Sequence, residues 1–91
     1  SFSLFPNYPN PFNVGTVISY STSDNGPVKL EVFDILGRSI ATLVDEVQSV
    51  GLHHVNWNGQ VNDGNRAASG IYLYRLKTAH AAETRKMIIL R

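Results

Sequence analysis

Ninety-one residues, 43% apolar and 16% charged, are enough for one small domain with a single core. Eight Lys and Arg against seven Asp and Glu leave a net charge of +1, with the cations spread over positions 29 to 91, which argues against a nucleic-acid reader. The lack of cysteine excludes a disulfide framework, thiol nucleophiles and thiolate zinc sites, and the longest apolar run, Met87-Ile88-Ile89-Leu90, falls far short of the about 20 residues of a membrane helix.

The chain opens on Ser1 rather than Met, as expected of a piece of something longer, and no secretory leader is read in it. After a short apolar start near 2–5 comes Pro6-Asn7-Tyr8-Pro9-Asn10-Pro11-Phe12-Asn13, three prolines and two aromatics in eight residues. Proline lacks an N–H, so this lead-in segment over 1–13 is expected to be stiff, extended and outside any ladder. Tyr8 and Phe12 are expected to plug an open end of the core while the Asn side chains cap the turns. A rigid loop of this kind also suits recognition by a partner, because pre-ordering lowers the entropy cost of binding.

Strands are expected near 14–21, 27–34, 38–45, 52–58, 70–78 and 83–91, in addition to 2–5. In Val28-Lys29-Leu30-Glu31-Val32 the apolar residues share one face and the charges the other. Ile18 and Tyr20, Val55 and Trp57, and Tyr72, Tyr74 and Leu76 alternate in the same way. Over 38–47 a helix competes, since Ile40, Leu43, Val44 and Val47 fall at 3.6-residue spacing. The Gly-containing connection Asp34 to Arg38 favours a hairpin instead. The last segment has apolar residues at both parities and reads as a strand covered on both faces. Seven strands with turns every 8 to 12 residues and no crossover helix point to an antiparallel, immunoglobulin-like all-β sandwich. Trp57, Tyr20, Phe33, Tyr72 and Tyr74 are its expected aromatic core.

Chemistry is sparse. His53 and His54 are adjacent, so on a strand they face opposite ways and cannot share a metal; His80 reads as a loop residue. No Ser stands in a Gly-x-Ser-x-Gly setting, and the pair Asp45-Glu46 looks like an exposed turn. Asn58, Asn62, Asp63 and Asn65 superficially suggest calcium ligation, but with one carboxylate they suit tight turns better. The expectation is a non-enzyme with no metal, cofactor or small-molecule substrate.

Four blocks carry a resemblance: Asn7 to Asn13, Val32-Phe33-Asp34-Ile35-Leu36-Gly37-Arg38, Ser69-Gly70-Ile71-Tyr72-Leu73-Tyr74-Arg75-Leu76, and Arg85-Lys86-Met87-Ile88-Ile89-Leu90-Arg91. In this order they resemble the C-terminal sorting domains of the type IX (Por) secretion system. The Leu-Gly-Arg and Ser-Gly-x-Tyr blocks are shared with the related immunoglobulin-like domain of flagellar hook-capping proteins. The resemblance implies one sorting domain over 1–91, trailing a larger secreted protein of a Bacteroidetes-like bacterium. Such a domain passes through the periplasm to the cell surface or beyond, with translocon components of the outer membrane and the upstream cargo domain as partners. By position, the recognition motif falls on Pro9, Asn10, Pro11, Phe12, Gly37, Arg38, Gly70, Tyr72, Lys86 and Met87. The chain departs from the pattern at Val14 and Gly15 after the proline block, and at Asn58, where an Asp often follows the Trp.

The final strand and adjacent loops are then the expected grip for the translocon, by strand addition at an edge or capture of a terminal carboxylate. Two other roles fit the same sequence. One is a structural spacer; the other is a carbohydrate-binding accessory module, which needs exposed aromatics from among Tyr8, Phe12, Tyr72 and Tyr74.

Overall fold

The computed structural model describes residues 2–91; Ser1, the first residue of the expected domain, lies outside the described residues. Seven strands follow one another: β1 Phe2–Leu4, β2 Thr16–Thr22, β3 Gly26–Phe33, β4 Ser39–Gln48, β5 Gly51–Trp57, β6 Gly70–Thr78 and β7 Ala82–Ile89, with no helix among the described residues. They form two antiparallel sheets, ordered β1-β2-β5 and β4-β3-β6-β7. The all-β sandwich expected from the sequence is the fold observed.

Alternation explains the core. Ile18 and Tyr20 from β2, Val28, Leu30 and Val32 from β3, Tyr74 and Leu76 from β6, and Met87 and Ile89 from β7 all point between the sheets and are buried. Polar tips of the buried rings find partners. The Tyr74 hydroxyl donates to Phe5 O (2.8 Å) and accepts from Asn7 N (3.0 Å), the Tyr20 hydroxyl bonds Gln48 Oε1, and Trp57 Nε1 donates to Gln60 O (2.8 Å).

β4 is a strand, and its helix-like spacing has a structural cause. Leu30 pairs with Val44 but Glu31 with Thr42, so Leu43 is an extra residue in a bulge. That one-residue slip turns both Ala41 and Val44 inward, three positions apart, and leaves Val47 exposed. A second slip, between Val32 and Phe33, leaves Ile40 unpaired.

Two core expectations are corrected. Phe33 is not in the core: it lies on the outer face of the four-stranded sheet, where the Arg75 guanidinium sits 4.7 Å above its ring. β7 is not covered on both faces either. It is an edge strand, with Met87 and Ile89 buried, Ile88 half-buried and Leu90 exposed beyond its end. On the outer face next to Phe33, Glu31 is nonetheless buried, bonded by Ser39 Oγ (2.8 Å) and Arg75 Nη2 (3.3 Å).

Burial holds the Tyr74 phenol above its ordinary value, against the lowering effect of the Asn7 N–H, and raises the Tyr20 phenol likewise. A value raised in the folded state means stabilisation that is complete below the unfolded value of about 10 and is lost as pH rises through the folded values. Stability to urea should therefore decline above about pH 10. Tyr74→Phe should lose about 1–3 kcal/mol at neutral pH, because Asn7 N is left buried without a partner and Phe5 O loses its donor, and should show a shallower alkaline decline.

Candidate functional site at the proline-rich end of the sandwich

The proline-rich segment does join the ladders, through its non-proline residues. Tyr8 exchanges hydrogen bonds with Val17 of β2 (2.8 and 3.0 Å). Phe12 then pairs in parallel with β7: its N–H donates to Ile88 O (3.1 Å) and its carbonyl accepts from Leu90 N (2.9 Å). Between them the chain bends rather than running extended, with the Tyr8-Pro9 and Asn10-Pro11 peptides both cis. Residues 8–12 thus lace the edge of one sheet to the edge of the other.

Side chains secure the crossing. Asn7 is buried, its Nδ2 donating to Thr16 Oγ1 (3.0 Å) and Pro9 O (3.3 Å), and Thr16 Oγ1 also donates to Pro9 O (2.9 Å). Asn10 Oδ1 accepts from Ile88 N (2.9 Å), where a Pro or Ala could not. Phe12, 3% exposed, meets the Trp57 ring edge-on at 5.9 Å and plugs the core end as expected. Tyr8 does not: it is 79% exposed on the outer side of β2.

The other motif residues divide into two groups. Gly70 lies opposite Ile89 and Tyr72 opposite Met87, so β6 and β7 bring these three motif residues to the end that Phe12 closes. The Tyr72 hydroxyl donates to Ala68 O (2.7 Å), Met87 is fully buried and Lys86 is exposed. Gly37 and Arg38 sit at the same end of the sheet, but in the β3–β4 turn, separated from β7 by β6. Asp34 organises that turn: Oδ1 accepts from Leu36 N and Arg38 N, and Oδ2 from Arg38 Nε at 2.7 Å. The Arg38 N–H and guanidinium hold the Asp34 carboxyl below its ordinary range. Gly37 supplies the left-handed backbone, φ +85°, that the turn requires. Ile35 and Leu36 are left standing in solvent.

The sequence reading missed Arg91, which is a main anchor of this end. Its N–H donates to Ser69 Oγ (2.9 Å), Nε to Ala67 O (2.8 Å) and Nη1 to Asn13 O (2.7 Å). The guanidinium lies against Gly59, where an added Cβ would stand 2.5 Å from Nη2. In the sequence Gly59 reads as half of an Asn58-Gly59 turn, which its φ of +84° bears out, and Ala67 does not stand out; the approach of Arg91 from the far end of the chain is the further constraint on both.

Elsewhere the polar groups are engaged in turns. Asn58 Oδ1 accepts from Gln60 N, Asp63 Oδ1 from Asn65 N and Asn62 Oδ1 from Thr42 N. His53 is half-buried and stacked on Tyr20, while His54 takes the opposite face beside Ser19 Oγ (2.7 Å). Of the four aromatics from which a carbohydrate platform could be drawn, Phe12 and Tyr74 are buried and Tyr72 is half-buried, so Tyr8 alone stands clear.

Residues 12–82 match the model of the FlgD Ig-like domain. The chain belongs to that family. This FlgD Ig-like domain is similar in fold to part of dimeric latent PorU from Porphyromonas gingivalis (TM-score 0.79, 19% identity, 98% of this chain and 9% of that one). It is also similar to part of PorZ, a surface component of the type IX secretion system of the same organism (TM-score 0.64, 23% identity, 98% of this chain and 12% of that one). FlgD from P. aeruginosa gives a TM-score of 0.63 at 19% identity, over 84% of this chain and 62% of that one. At these identities the likeness concerns the fold, and the domain spans only part of each of these proteins. No curated protein matches the chain by sequence.

Phe12→Ala should cost the domain about 3–5 kcal/mol in urea unfolding, as expected for emptying a buried ring site. Asn10→Ala removes only the acceptor for Ile88 N, so hydrogen exchange at Ile88 should accelerate while the buried neighbours Met87 and Ile89 keep their protection.

Proposed function

We propose that this FlgD Ig-like domain is a C-terminal secretion and sorting signal that directs an upstream cargo domain of the same polypeptide across an outer membrane through the type IX secretion system. The observation that carries the reading is the convergence of Asn10, Phe12, Gly70, Tyr72 and Met87, from three separated blocks, on the end where residues 8–12 cross to β7. The fold likeness to PorZ, a surface component of that secretion system, and to PorU supports it. In this role the domain works by binding translocon components, without catalysis or cofactor, in the periplasm during transit and then at the cell surface or beyond.

In this reading the grip is made by side chains rather than by strand addition at Ile88. The outward main-chain groups of Ile88 are already bonded to Asn10 and Phe12, so the end of β7 offers a translocon its outer-face side chains, Lys86, Ile88 and Leu90. Membership of the FlgD Ig-like family also favours a second reading, a non-catalytic spacer that braces neighbouring domains.

The two readings separate in the full parent polypeptide carrying Lys86→Ala, Ile88→Ser and Leu90→Ser together. These changes leave the buried Met87 and Ile89 in place, unlike deletion of 86–91, which removes core residues. Export predicts cargo accumulating in the periplasm while the domain stays folded by circular dichroism. Undiminished surface delivery of the folded triple variant would favour the spacer.

A further inference from the structure

Each sheet has two outer strands, and the fold treats them unequally. Outer-strand N–H and C=O groups with no partner are templates for further pairing unless they are covered, charged or interrupted. On the side where β1 meets β7, Leu4 N and O are bonded by Glu83 Oε1 (3.3 Å) and Arg85 Nε (2.7 Å), and Ile88 is covered by Asn10 and Phe12. On the other side, β4 is interrupted by its two bulges, carries Asp45 and Glu46, and has Ile40 O and Thr42 N taken by Asn62.

β5 has none of these protections. Its one neighbour is β2, and Gly51-Leu52-His53-His54-Val55-Asn56-Trp57 contains no Pro, Lys, Arg, Asp or Glu. Which of its groups face outward follows from the ladder. Val17 exchanges both main-chain bonds with Tyr8, and Ser19 O accepts from Phe5 N, so the odd residues of β2 point toward β1 and the even ones toward β5. Ile18 pairs with Val55 and Tyr20 with His53, which leaves the N–H and C=O groups of Leu52, His54 and Asn56 directed away from the sheet. They recur every two residues, about 6.8 Å apart, and the side chains at these positions are exposed.

One carboxylate stands beside this edge. Glu46 Oε2 accepts from Gln48 Nε2 (3.1 Å), whose Oε1 takes the Tyr20 hydroxyl, and the Tyr20 ring stacks on His53 of β5. Asp45 takes the other face of β4, opposite Lys29 in register. A second copy of this chain paired β5 to β5 would bring no cation of its own β5 to Glu46.

We propose that the β5 edge is a binding site for an extended, cation-bearing strand of another protein, which extends the three-stranded sheet by pairing with Leu52, His54 and Asn56 beside Glu46. Only a polypeptide main chain matches a row of alternating donors and acceptors, and the Glu46 carboxylate selects a positive flank. The edge geometry holds for an export signal and for a spacer alike.

The test is an NMR titration of the 15N-labelled 91-residue chain with a capped heptapeptide of alternating threonine and valine bearing a lysine at each end. Saturable shifts are expected at the Leu52, His54 and Asn56 amides. Leu52→Pro removes an outward N–H without touching the β2 ladder, as proline at an edge position allows, and should weaken binding at least about tenfold. Should that variant fail to fold, Leu52→Lys, at an exposed side chain, is expected to weaken binding by adding like charge. Glu46→Gln, or glutamate in place of the terminal lysines, should weaken it about threefold. Absence of binding, shifts centred on β7 or the outer sheet faces, full affinity in folded Leu52→Pro, or concentration-dependent pairing of the chain with itself through 52–56 would each overturn the proposal.

Discussion

A small two-sheet sandwich must find partners for the main-chain groups along its outer strands, and here the chain uses its own N-terminal segment to do so. Residues 4–12 run beside β2 and then cross to β7, and the bonds they make, Tyr8 with Val17, Leu4 with Glu83 and Arg85, Asn10 and Phe12 with Ile88 and Leu90, close one flank of the sandwich. Without this lacing, β1 would be a three-residue strand on one sheet and β7 an open edge on the other, and hydrogen-bond continuity between the sheets would be lost on that flank.

The lacing also explains why the motif blocks lie so far apart in sequence. The proline-rich block supplies the crossing chain, the Ser-Gly-x-Tyr block supplies β6 opposite the end of β7, and the final block supplies β7 and the Arg91 anchor. Phe12 against Trp57 fills the hydrophobic end of the core beneath them. Most of the motif is therefore accounted for by the architecture of one end. What it leaves for a partner are the outward-facing side chains of β7 and the apolar Ile35-Leu36 turn.

The remaining flank is organised by the opposite arrangement. β4 and the crossover from β5 to β6 meet there, with Asn62 bonding Ile40 and Thr42, yet β5 keeps one partner and an uncharged sequence. The charge that stands beside β5 is the Glu46 carboxylate, held by Gln48 next to the Tyr20–His53 stack. A charge at the margin of an edge orients an encounter more than it stabilises a complex.

Period-two alternation at Ile18 and Tyr20, at Val28, Leu30 and Val32, and at Tyr74 and Leu76 fixes these segments as strands and names their inward faces, because neighbouring residues of an extended chain must point to opposite sides. The sequence by itself therefore determined the all-β class, the seven strands and most of the core. Where local pattern and actual environment parted, a distant contact was the cause. A bulge made β4 mimic a helix, and the bend of the proline segment buried Phe12 while turning Tyr8 out, whereas Phe33 follows the alternation of β3 itself, opposite the inward Val32 and under the Arg75 guanidinium. The anchoring of Arg91 against Gly59 and the contrast between the covered edge of β7 and the bare edge of β5 were decided only by the tertiary structure. Each depends on which residues, remote in the chain, come to lie beside a given main-chain group, and spacing along the sequence carries no record of that.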